Sequence, residues 1–94
     1  PMTAPVYRAD PPEARRLVEL DGVALIFHRP SGLTHIVAPP APQILDALGE
    51  GPADSGALLN RLQRDYDFAD SGDLAEALAA RIDELEAAGL VWRT

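Results

Sequence analysis

Apolar positions alternate with polar ones early in the chain and recur every three or four residues later. Arg16-Leu17-Val18-Glu19-Leu20 reads as a short strand, and Val23 to His28 as a second. Asp21-Gly22 lies between them. This pair predicts a two-residue hairpin, because both central positions of the usual tight turn take positive φ. The second run ends at Arg29-Pro30-Ser31-Gly32, where Pro sets φ early in a turn and Gly tolerates positive φ at its end. Leu33 to Ala38 forms a third run, which completes an antiparallel meander. Val23, Leu25 and Phe27 point to one face, and Ala24, Ile26 and His28 to the other. In the third run Leu33, His35 and Val37 alternate with Thr34, Ile36 and Ala38. Both faces are partly apolar, which points to a cover over the outer one.

The spacing changes after Pro39-Pro40-Ala41-Pro42, a stretch suited to a first helical turn. Ile44, Leu45 and Leu48 form one helical stripe, stopped at Gly49 or Gly51. A second helix is expected near Ser55 as its N-cap, with Leu58, Leu59, Leu62 and Tyr66 at helical spacing. A third is expected near Asp73, with Glu76 completing a capping box and Leu74, Leu78, Ile82 and Leu85 as its stripe. Gly89 suits the position after its end, and Leu90-Val91-Trp92 packs back as a tail or short strand. The expected fold is α+β and winged-helix-like: a three-stranded antiparallel meander followed by a three-helix bundle. Residues 1–14 carry four prolines and read as an extended arm with Val6 and Tyr7 as candidate anchors. Residues 15–94 read as the domain.

Composition narrows the chemistry. The 94 residues suit one modest core. Cysteine is absent, which excludes disulfides, zinc–thiolate sites and thiol nucleophiles. All basic residues are Arg, so Schiff-base chemistry and a phosphate-binding lysine are excluded too. The net charge of −7 opposes nucleic acid and anionic membranes, so neither is an expected partner. No apolar run approaches the ~20 residues of a membrane span. The N-terminus lacks a signal-peptide pattern, and the cytoplasm is the expected location.

Candidate catalytic groups are few. His28 and His35 flank the second turn and are expected on opposite faces, which disfavours a shared metal. Ser31 and Thr34 are near in sequence to His35 but sit in a turn and strand with no evident acid partner, and Ser31 is more simply a turn residue. Asp65, Asp67, Asp70 and Asp73 loosely resemble calcium ligands but lack the central Gly and terminal Glu of such a loop. Neither a metal nor a cofactor is expected. Arg81 has two open readings: pairing with acidic neighbours, or anchoring an acidic or backbone group of a partner. Leu78, Ile82 and Leu85 are most simply core, although one flank of their stripe could line a groove. The third strand has a free edge unless the tail covers it, and it carries no Lys and no interior Pro to guard that edge.

The stretch His28-Arg-Pro-Ser-Gly-Leu-Thr-His35, followed by Ile44-Leu45-Asp46-Ala47-Leu48, resembles the PqqD-like peptide chaperones. The closest likeness is to the PqqD-like group associated with HPr kinase-related proteins, and it runs from about Leu17 to Trp92. The resemblance implies a precursor-peptide recognition element that acts without a cofactor and presents a leader peptide to a modifying enzyme. Carried over by position, it implicates Thr34, His35, Ile36, Val37 and Ala38 as the strand to which the peptide adds, facing Leu78, Arg81, Ile82 and Leu85. The implied partners are a precursor peptide and a modifying enzyme, with an HPr kinase-related protein as candidate. Val37-Ala38 and Ala41-Pro42 depart from the family's usual Leu-Asn and Ala-Ala.

The expectation is therefore a non-catalytic peptide-binding chaperone. The alternative is a winged helix-turn-helix DNA-binding regulator. Against it, the third helix has only Arg81 among five acidic residues from Asp73 to Glu86. A third reading is a homodimer through the free strand edge.

Overall fold

A computed structural model describes residues 4–66 and 71–94. The element order is β1 (Tyr7–Ala9), a 3₁₀ turn (Pro12–Ala14), β2 (Arg15–Leu20), β3 (Val23–His28), β4 (Leu33–Val37), α1 (Ala41–Leu48), α2 (Ser55–Asp65), α3 (Ser71–Ala87) and β5 (Val91–Arg93). The fold is α+β, with the meander β2-β3-β4 followed by three helices.

The strand boundaries fall within one residue of where the alternation places them, with β2 starting at Arg15 and β4 ending at Val37, short of Ala38, but two local expectations are corrected. In the first turn only Gly22 has positive φ, at 75°; Asp21 does not, so this is not the mirror-image turn with two left-handed residues. The second correction concerns the histidines. His28 pairs with Leu33 and Ile26 with His35, so both histidines lie on the same sheet face. The Arg29–Gly32 loop brings β4 back in this register, with the Gly32 N–H donating to the His28 carbonyl at 2.8 Å. Cross-strand partners share a face, so Ile26 carries His28 and His35 to its own side.

That side faces the core. Ala24, Ile26 and His28 are buried, and Ile26 joins a single apolar cluster with Ile44, Leu45, Leu58, Leu62, Ile82 and Leu85. α1, α2 and α3 pack on one another, and β5 packs on α3. The helix ends follow from side-chain and glycine chemistry. Asp54, not Ser55, caps α2: its carboxylate accepts the Ala57 N–H at 2.8 Å, and Ser55 is already helical. Tyr66 is extended and ends α2 rather than continuing its stripe. α3 begins at Ser71, two residues before the expected start. It stops in a Schellman arrangement: Gly89 has φ 79°, the Leu90 N–H reaches the Leu85 carbonyl and the Gly89 N–H that of Glu86.

The N-terminal arm is extended, and it belongs to the fold. β1 pairs antiparallel with β5, with Tyr7 opposite Arg93 and Ala9 opposite Val91. Tyr7 also exchanges backbone hydrogen bonds with Ala53, at 2.8 and 3.1 Å, and its ring is buried. Val6 serves through its carbonyl, which accepts the Thr94 N–H at 2.9 Å.

Candidate functional site

β4 is an edge strand. Among the described residues it pairs with β3 alone, and the C-terminal strand that might have covered it pairs with β1 instead. The opposite edge, β2, carries Arg15, Arg16 and Glu19, whereas β4 is Leu-Thr-His-Ile-Val, with no charge or proline to discourage pairing. Thr34 and Ile36 point outward, and Ile36 is 74% exposed. His35 and Val37 point inward and are half-buried. Ala38 follows the strand, and its carbonyl accepts the Ala41 N–H at 2.9 Å as the chain turns into α1.

The four expected helix residues fall into two groups. Leu78, Ile82 and Leu85 are buried in the core. The open groove along α3 lies on its α2 side, where Ser55, Gly56, Leu59, Ala75, Leu78 and Ala79 line about 150 Å³. Arg81 is partly exposed and pairs through Nη1 with Glu84, one turn on. Its Nε is buried with no hydrogen-bond partner among the described residues, and so is Nε2 of His35. A buried polar atom left unpaired costs about 1–3 kcal/mol, so each calls for an explanation. Both belong to the residues that the resemblance implicates.

The fold gives His28 an acid partner that no sequence pattern marks. Nε2 of His28 lies 2.6 Å from Oδ2 of Asp10, and Nδ1 lies 2.8 Å from Oγ of Ser31. Eighteen residues separate Asp10 from His28, and no local pattern marks the pair. The order Ser–His–Asp is that of a nucleophile, base and orienting acid. Ser31 Oγ is also bonded within its own turn: it accepts the Leu33 N–H at 3.3 Å and donates to the His28 carbonyl at 3.4 Å. The arrangement works as a clasp from the arm to the hairpin tip. Arg15 strengthens it, donating to the Asp10 carbonyl at 3.2 Å and pairing with Asp46 at 3.3 Å.

Among the described residues no group of three or more His, Cys, Asp or Glu converges as a metal site. In the loose aspartate series, Asp67 and Asp70 lie outside the described residues. Among the described residues no helix is long and apolar enough to cross a membrane. No family model, curated protein or solved structure matches the chain.

Proposed function

We propose that the chain is a non-catalytic, cytoplasmic peptide-binding chaperone. It takes up an extended precursor peptide by strand addition to β4 and presents it to a modifying enzyme. The observation that carries this reading is the unguarded β4 edge, left open because β5 closes on β1. Strand addition gives affinity through main-chain hydrogen bonds, and alternate side chains supply selectivity. Because Leu78, Ile82 and Leu85 are core, their part is to hold α3 in place, and the peptide meets Thr34, Ile36, His35 and Arg81. The likeness to the PqqD-like group supports a leader peptide as the ligand and an HPr kinase-related protein as the partner enzyme. The DNA-binding alternative is weakened further, since the one cation of α3 is paired with Glu84.

Titration of isotope-labelled protein with the precursor peptide tests the reading. Amide shifts should concentrate in residues 33–38 and around Arg81. Shifts confined to the α2–α3 groove would remove β4 as the site.

A further inference from the structure

The outer face of the meander is apolar and bare. Val18, Leu20, Val23, Leu25, Phe27 and Ile36 all project from it, as the register requires. Apart from half-buried Leu25, these side chains are between 38% and 74% exposed. They stand in three cross-strand rows: Leu20 beside Val23; Val18, Leu25 and Ile36 in the middle; and Arg16, Phe27 and Thr34 at the far end. An antiparallel sheet that faced water on this side would be polar there.

The ends of the face carry opposite charge. Arg16 lies at the end next to the Arg29–Gly32 loop, and Asp21 lies in the turn at the other end. Neither Arg16 nor Asp21 has an ion-pair partner among the described residues. The geometry points to a second copy of this chain as the occupant of the face, packed sheet on sheet about a two-fold axis.

Charge selects which two-fold. An axis along the strands would lay β2 over the second copy's β4 and bring the two Arg16 ends together. An axis across the strands lays each strand over its own counterpart, running the opposite way. The middle row then meets itself, Phe27 meets Val23 of the second copy, and Arg16 reaches Asp21. Aligned sheets pack about 10 Å apart, a spacing that such side chains fill. The apolar part of the face is six side chains, fewer than the ~20–30 residues a side of a standard interface, so a weak dimer is expected, with a Kd on the order of 10–100 µM. Both β4 edges stay open in this arrangement. It differs in that from an edge-paired dimer, which would block peptide uptake, and it does not depend on the peptide-binding reading.

Sedimentation velocity over a roughly hundredfold concentration range, spanning the expected Kd, tests the proposal. The native chain should pass from monomer to dimer. Phe27→Glu should weaken association by more than about tenfold, with an unchanged circular-dichroism spectrum. Arg16→Asp and Asp21→Arg should each weaken it by about threefold or more, and the double variant should restore it. A chain that stays monomeric throughout overturns the proposal. So does a dimer indifferent to Phe27→Glu, or one that the double charge swap fails to restore.

Discussion

Arg61 shows how much one side chain can hold. It reaches from α2 across the loop that follows α1 and donates to the carbonyls of Ala47, Gly51 and Pro52, at 3.1, 2.7 and 3.5 Å. These groups lie where α1 ends and its last carbonyls lack helical partners. Hydrogen bonds from a charged donor contribute about 1.5–3 kcal/mol. Arg61→Met keeps the aliphatic stem and removes the donors. It should lower unfolding free energy by roughly 2 kcal/mol in urea titration, with little change in the denaturant slope. An effect below about 0.5 kcal/mol would mean that water replaces the guanidinium without loss. His28 has the same importance on the sheet side. His28→Ala leaves Asp10 and Ser31 without their ring partner and should cost about 1–3 kcal/mol. If the clasp is what holds the arm, amide exchange in Tyr7–Ala9 should rise more than in β3. Uniform acceleration would show a general loss of stability instead.

At the scale of elements, the alternation of Val23–His28 and the apolar stripe of α1 were legible because burial on one face imposes a period. The register between strands was not legible in the same way. Each strand's own alternation is blind to which residue of its neighbour it meets, and a shift of one residue exchanges faces. His28 and His35 were misassigned for that reason. The start of α2 was missed by one residue for a similar cause: Asp54 and Ser55 are both good caps, and backbone geometry chooses between them. That choice is measurable. Asp54→Ala should cost about 1 kcal/mol, since it frees the Ala57 N–H, while Ser55→Ala should change stability by less than about 0.5 kcal/mol. Thermal melts of the two variants would decide it, and equal losses would contradict the assigned cap. The edge of β4 was a legible candidate, because its composition lacks guards. Whether the tail would cover it depended on where β5 went, and no property of Leu90-Val91-Trp92 alone selects β1 over β4.

At the scale of the whole molecule, the chain closes on itself. β1 and β5 bring the two ends of the described chain together, and the Arg93 guanidinium lies 5.6 Å from the centre of the Tyr7 ring while pairing with Glu86. Glu86, first, and then Tyr7 hold that guanidinium protonated beyond its ordinary range. The division at residue 14 suggested by the prolines therefore does not separate an appendage from a core. Tyr7 is itself core, and its backbone bonds to Ala53 tie the arm to the loop between α1 and α2. Removing residues 1–9 would delete a buried aromatic side chain, whose loss typically costs about 3–5 kcal/mol. It would also bare Val91, which lies opposite Ala9. A domain of this size has total stability of only about 5–10 kcal/mol, and each kcal/mol shifts its melting temperature by roughly 4–8 °C. The truncated chain should therefore melt on the order of 20 °C lower. Scanning calorimetry of the two chains would measure the difference. A truncated chain that melts within about 4 °C of the full one would mean that residues 1–9 add nothing to the core.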